Sequence, residues 1–350
     1  DFAGTIRLAT TAPGVELPAE LNFTGQENGR QSFAFANPRS TDMAIEVVAD
    51  EVAGTSNPAG SASGPHQLYW GECHVHTYVS DGLGTPAEAL AYGRDVAGLD
   101  FGAVTDHFNF SPEQWRRTVE VTEAAYRPGE FATLFGLEVT GDPFICDFCV
   151  LSPDPRLDLA PLFACPLDER YLAPSVPLEA LYAAFEKQDA ILIPHFHMGS
   201  GKIWERPLPA NVRLAEIYSC WGSHEDGGGA LPSFGNDPGG EAGQTIAGLL
   251  SRRYRCGVVA GSDGHDGRLG QTNWLRVYER YRGGLTAVWA RELTRESLWE
   301  ALHARRVYAT TGARIFLEFS LNGRPMGSEL RLKPGEARTL RCKVHGTTPT

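Results

Sequence analysis

Ten histidines lie in this 350-residue chain, and several fall where a short apolar segment ends. His74-Val75-His76 follows Leu68–Cys73. In an extended segment, residues two apart point to the same side, so both rings can meet one cation. Asp106-His107 ends Phe101–Thr105, and Glu138 ends Thr133–Glu138. His195 and His197 follow Ala190–Pro194, and Asp263 and His265 follow Gly257–Ser262. Imidazoles and carboxylates are donors for divalent transition metals, so metal-assisted hydrolysis is the chemistry that this set could perform. Taken singly, each pair reads equally as solvated side chains on a loop. Recurrence at successive strand ends is what points to one site, because the C-terminal strand ends of an α/β barrel surround a common pocket.

The elements that must position these residues alternate between strand and helix from Leu68 to about Thr310. Besides the segments above, Leu214–Ser219 reads as a strand. Thr85-Pro86-Ala87-Glu88 is a capping box with Pro at the first helical position and Gly98 as the stop. Ser111-Pro112 opens a second helix, and Leu178–Gln188, Glu241–Tyr254 and Thr294–Arg305 continue the series. Repeated βα units predict a parallel sheet, most economically a closed or distorted barrel over residues 66–311. Residues 1–65 read instead as short strands (Thr5–Thr10, Ser32–Phe35, Ala44–Val48) ending in a small, polar linker at 54–65. From 312 to 350 strands return: Arg314–Leu321, the turn signal Asn322-Gly323, then Thr339–Val344, with the alternation still running as the sequence breaks off. Both β-rich ends read as accessory to the central region.

Composition excludes several classes. No run of eighteen apolar residues exists, so no membrane span is expected. A net charge of −12, from 43 acidic and 31 basic residues, argues against a protein that holds a nucleic-acid backbone. Metal ions are one way for so acidic a chain to attract an anion. Seven cysteines, an odd number, argue against a complete disulfide framework and favour a reducing, cytoplasmic setting. The segment Asp1-Phe2-Ala3-Gly4 has neither the basic stretch nor the apolar core of a secretory signal.

The stretches GECHVHTYVSDG (71–82), GLDFGAVTDH (98–107), GLEVT (136–140), PHFH (194–197) and GSDGH (261–265) resemble, in the same order, the motifs of the PHP (polymerase and histidinol phosphatase) family. The resemblance runs over about 68–310. It implies a distorted seven-stranded β/α barrel with up to three divalent metals and phosphoester hydrolysis. Carried over residue by residue, it gives His74, His76, Glu138 and Asp263 to a first metal. Glu138 bridges to a second metal that also takes His195, and Asp81, His107 and His265 hold a third. The family usually has a further histidine between the Glu and the fourth-strand His, and none occurs here. The matching position falls at Asp147 in FICDFCVL, with Cys146 as the alternative donor. Three divalent ions against Asp81, Glu138, Asp147 and Asp263 leave an excess of two positive charges, suited to a hydroxide and an anionic substrate.

Other residues carry weaker signals. Asp106 reads as an orienting neighbour of His107, and His197 equally as ligand, general acid or pocket lining. Asp263 and His197 are the candidates for managing the proton. Lys202, Arg206 and Arg268 follow metal motifs and could grip phosphate oxygens, with Arg268 the strongest candidate because it stands three residues after His265. His224-Glu225 reads as a solvated loop, and Cys146-x-x-Cys149 lacks the second pair of a zinc ribbon.

The expected function is a metal-dependent phosphoesterase acting on a small molecule, with manganese, zinc or iron. An added carboxylate at Asp147 would tilt it toward diesters or neutral esters over monoesters. A hydrolase of carboxylic esters, lactones or amides is the alternative within enzymes. A non-catalytic metal-binding interaction module is the alternative outside them.

Overall fold

A computed structural model describes residues 2–27, 29–37, 42–60, 62, 64–140, 147–168, 173–195, 207–226, 231, 245–271 and 281–346. The chain forms two compact units: 1–65 with 313–325 and 333–350, and 66–312 with 326–332.

The first unit is all β. Strands Glu20–Thr24, Ala3–Ala9, Glu46–Ala49 and Val52–Thr55 form an antiparallel sheet in that order. Ser32–Phe35, expected as a strand, is irregular. The other sheet pairs Phe316–Leu321 with Arg324–Pro325 and Leu340–His345. Leu321 faces Arg324, and Asn322 and Gly323 both have positive φ, 50° and 73°. That is the geometry a two-residue hairpin demands, and it is why Asn-Gly stands there. Asp42 joins the sequence-distant parts of this unit through Lys343 Nζ at 2.7 Å and His345 Nε2 at 2.9 Å.

The second unit has a mixed α/β fold and holds the candidate site. Its largest sheet runs Val307–Thr310, Leu285–Ala290, Gln67–Glu72, Phe101–Gly102, Ala132–Thr133. A second runs Ile191–His195, Asp147–Ser152, Phe135–Thr140, and a third Gly222–Ser223, Leu214–Ser219, Gly257–Ala260. The pairing is not all parallel, which corrects the parallel sheet that the βα pattern predicts. Asp147–Ser152 is antiparallel to both its neighbours, and Leu285–Ala290 is antiparallel to Gln67–Glu72 and Val307–Thr310. The reason is connection length. Only six residues separate Thr140 from Asp147, too few for the crossover that a parallel return needs.

The helices begin where the sequence signals place them. Pro86–Asp95 has the Thr85/Glu88 capping box, and Pro112–Ala125 has the same device in Ser111 and Gln114. Leu178–Phe185 and Arg295–His303 follow, whereas Ile246–Ser251 starts from an N-cap at Thr245 inside the expected Glu241–Tyr254 and stops before its end. Both faces of the central strands are buried. Phe148, Val150 and Leu192 pack outward with Leu181 and Leu249, while Cys149, Leu151, Ile191 and Ile193 face a second core with Leu214 and Leu302. No helix among the described residues is long and apolar enough to cross a membrane.

Candidate metal centre

Two isolated parallel bridges, Val75 with Gly264 and His107 with Glu138, join chain segments beyond the regular strands. Both fall on predicted ligand positions or beside them. Asp263 N–H donates to the His74 carbonyl at 2.8 Å, His76 N–H to Gly264 at 2.9 Å, and Glu138 N–H to Asp106 at 2.9 Å. Backbone pairing thus draws side chains far apart in sequence into one place. Asp263 itself has φ of 50°, a left-handed conformation uncommon for a residue other than glycine and concentrated at functional sites. Gly261 has to be glycine for packing: a Cβ there would run into His74 Cβ and lie 3.1 Å from Glu216 Oε2.

Around this junction four groups of side chains place their donor atoms within 4.8 Å of one another: His76, Asp81, His107 and His265; His74, His195 and Glu216; His74, Glu138 and Cys149; His74, His76 and Asp263. Asp263 spans two imidazoles, with Oδ1 2.9 Å from His76 Nε2 and Oδ2 2.9 Å from His195 Nε2. Glu138 Oε2 stands 2.9 Å from His107 Nδ1 and 3.3 Å from His76 Nε2, while its Oε1 is 3.4 Å from His74 Nε2. His76 is stacked between His107 and His265, at centroid distances of 4.4 and 4.2 Å. Asp81 Oδ1 lies 3.3 Å from His265 Nε2 and 3.8 Å from His107 Nε2.

Glu216 was not foreseen. It sits in the strand Leu214–Ser219, and its two oxygens stand 2.8 Å from His74 Nδ1 and 2.5 Å from His195 Nδ1. Burial works against its charge, but His74 and His195 hold its carboxyl down at about 2. As an ionised acceptor from His74 it fixes Nδ1 as the protonated nitrogen of that ring and leaves Nε2 for a cation, while its other oxygen faces His195 as an ion-pair partner. His265 is oriented likewise, with Nδ1 3.0 Å from the Asp263 carbonyl. The one signal for Glu216 in sequence is an acid inside an otherwise apolar strand.

Glu72, also unforeseen, is fully buried and accepts the Ser262 and Gly270 N–H groups, pinning the loop that carries Asp263 and His265. Burial pushes its carboxyl up to about 8. Asp106 joins none of the donor groups among the described residues. It accepts from Thr77 N–H at 2.6 Å, Thr77 Oγ1 at 2.7 Å and Ser80 Oγ at 2.7 Å, and so ties down the loop leading to Asp81.

The charges of these residues make sense only together. Burial opposes ionisation throughout. At Glu138, His107 and His74 outweigh it, and at Asp263, His74, His195 and His76 do, so both carboxyls lie well below the usual range. Glu138 in turn raises His107 to about 9, and Glu216 raises His195 to about 10. His76, pressed by burial and by His265 and His107, falls to about 3 and stays neutral. Asp81 is held far below its ordinary value by His265, against the effect of burial.

A divalent ion fits this set. His74 Nε2 and Glu138 Oε2 are buried without an aligned hydrogen-bond partner, although His107 Nδ1 is near that oxygen. Converging lone pairs that do not pair with each other suit a shared cation. Several such groups side by side suit a multi-metal site.

Of the other expected residues, Asp147 is buried at the end of its strand, beside His195 in register. Burial and Glu138 push its carboxyl up to about 6, yet among the described residues it belongs to none of the donor groups. Arg268 lies half exposed, its guanidinium 5.8 Å from the Tyr92 ring centroid and 4.0 Å from Asp266. His224, read as solvated, is buried with its ring 6.0 Å from that of His195. Cys146, His197, Lys202 and Arg206 lie outside the described residues. The six described cysteines form no disulfide with one another.

A family model described as "Protein of unknown function (DUF3604)" matches residues 260–324. An uncharacterised protein of Chlamydia pneumoniae is 33% identical over 279 residues, which cover 77% of this chain and 43% of that protein. The chain thus spans less than half the length of that relative. Among solved structures, a two-domain protein from Bacteroides vulgatus containing a predicted PHP-like metal-dependent phosphoesterase is similar, with TM-score 0.45 and 18% identity over 70% of this chain and 65% of that one. Endonuclease Q, in complex with a DNA duplex bearing an abasic lesion, gives TM-score 0.43 and 13% identity over 67% and 56% of the two chains. In its motifs, and in the buried histidines and carboxylates that they bring together, this chain resembles the PHP family of metal-dependent phosphoesterases.

Proposed function

We propose that this chain is a hydrolase of small-molecule phosphate esters working with two to three divalent ions of manganese, zinc or iron. The observation that carries this reading is the convergence of His74, His76, His107, Glu138, His195, Asp263 and His265, drawn from five separate chain segments, on four groups of mutually close donor atoms that share His74 or His76. Such ions supply Lewis acidity and water of lowered pKa, about 7 instead of about 15.7.

The chain's own residues do the rest. Glu216 fixes the tautomer of His74 and pairs in charge with His195, and Glu138 touches donors of more than one group. Asp263, with one oxygen facing each of His76 and His195, would receive the proton of the attacking water. His197 is the alternative for that task. Arg268, on a loop hinged by Gly267 and Gly270 at positive φ, grips phosphate oxygens as a bidentate partner, with Lys202 and Arg206 as further anchors. The negative charge of Asp147 near Glu138 favours diesters and neutral esters over dianionic monoesters.

In this reading strands of the three larger sheets of the second unit make up one distorted seven-stranded barrel, and the β-rich ends are accessory to it. A net charge of −12 leaves a small molecule the better substrate than a nucleic-acid duplex.

The test is a panel of chromogenic phosphate mono-, di- and triesters beside carboxylic esters, with protein loaded with manganese or zinc. Turnover of phosphodiesters that disappears with chelator is the expected result. Turnover confined to carboxylic esters would replace this reading with the ester or lactone hydrolase, and metal uptake without any turnover would favour a binding module.

A further inference from the structure

The family pattern lacks a histidine in this chain, and the strand register shows which donor stands closest to the gap. In the antiparallel hairpin, Cys149 is directly opposite Glu138 on one side and Ile193 on the other. Paired residues share a face of the sheet, so the thiol points to the same side as the Glu138 carboxylate. Asp147 is one pleat further along, opposite Thr140 and His195. Hence the donor level with Glu138 is sulfur. Cys149 is 2% exposed, and its Sγ lies within 4.8 Å of donor atoms of His74 and Glu138. The second observation is independent of the cysteine: His74 Nε2 and Glu138 Oε2 are both buried without an aligned hydrogen-bond partner. Cys73, the other thiol lining the small cavity behind His74 and Glu216, belongs to no donor group among the described residues.

We infer that Cys149 is a metal ligand, a thiolate donor that completes a His74–Glu138–Cys149 site in place of the missing histidine. The inference rests on the metal-dependent reading above and deepens it. As the ion enters, the S–H bond breaks, the proton leaves to solvent and the sulfur pair forms the bond to the metal. A thiolate among imidazole and carboxylate donors selects zinc, cobalt and ferrous iron over manganese. It thereby reverses the preference expected had Asp147 filled the gap.

Cobalt(II) loading of the full chain tests this without any assay of turnover. The expected result is a near-ultraviolet sulfur-to-cobalt charge-transfer band that is lost in Cys149→Ser and kept in Cys73→Ser. Zinc affinity should fall at least about tenfold in Cys149→Ser, the lower bound for losing even an outer-shell partner. Should that variant not fold, zinc-edge X-ray absorption on the unaltered protein decides: a sulfur scatterer at about 2.3 Å supports the site. Full cobalt uptake with only nitrogen and oxygen donors, or a band that survives Cys149→Ser, overturns the thiolate and leaves the metal-dependent reading standing. Absence of any cobalt uptake overturns both.

Discussion

The donors divide into a wet half and a dry half. In the first, His76, Asp81, His107 and His265 stand together, and the Asp81 and His107 side chains are 49% and 29% exposed while His76 and His265 are buried. In the second, His74, His195, Glu216 and Cys149 are at most 3% exposed. The wet half has one partly solvated carboxylate and rings stacked on one another. The dry half has a carboxylate placed behind its imidazoles, holding each by the nitrogen turned away from the centre. Burial makes an uncompensated charge costly, so the dry half needs Glu216 to stay in order, whereas water can substitute for missing partners around Asp81. The lesson is a division of labour. On the proposed reading, the dry half would fix affinity and geometry, and the wet half would be where substrate and exchangeable ions meet the site.

The largest effect should come from breaking a residue that touches both halves. Glu138→Gln keeps the size but removes the charge that faces His74 on one side and His107 on the other, so turnover should vanish and ions be lost from both halves. Elemental analysis after dialysis checks this, and near-normal metal content in a folded variant would show that Glu138 belongs to the packing alone.

Glu216→Gln should act on the dry half only. Loss of an outer-shell carboxylate weakens metal affinity by about 10–100-fold, so ions at His74 and His195 should be stripped by a chelator concentration that leaves the wet-half ion in place. Equal loss from both halves would erase the distinction. Asp81→Asn should do the reverse with a smaller effect, lowering occupancy of one ion while the dry half titrates as before in competition with a metal indicator.

The smallest effect is on stability. In the metal-free fold His107 and His195 are held at about 9 and about 10, above the ordinary 6.5. A raised folded-state pKa means that the protonated ring stabilises the fold fully below 6.5, and this contribution is lost as pH rises through 9 to 10. Chelator-treated protein should therefore lose Tm across that window. Metal-loaded protein, whose rings carry ions instead of protons, should not. A Tm of the chelated protein that rises over the same range would contradict the proton-holding arrangement.

How much of this was legible beforehand can be followed residue by residue. The helix starts at Pro86 and Pro112 were readable because a capping box is a local contract between residues three apart. The Asn322-Gly323 hairpin was readable because positive φ at two successive positions demands those residue types. The strand Asp147–Ser152 was missed because a short apolar run beside a metal motif has no periodicity of its own. With it went the antiparallel hairpin and the position of Cys149.

By itself, then, the sequence determined the donor types and their place at chain segments' ends, since imidazole and carboxylate beside a strand leave a visible mark in a local window. Only tertiary structure decided which donors meet. Glu216 is 142 residues from His74, and no local pattern can say that its two oxygens will divide between His74 and His195. Nor can it say that Cys149 will be level with Glu138 and Asp147 one pleat away. Strand register sets those meetings. It is fixed by pairing between chains of atoms distant in sequence, and a shift of one residue would turn every donor on that strand to the opposite face.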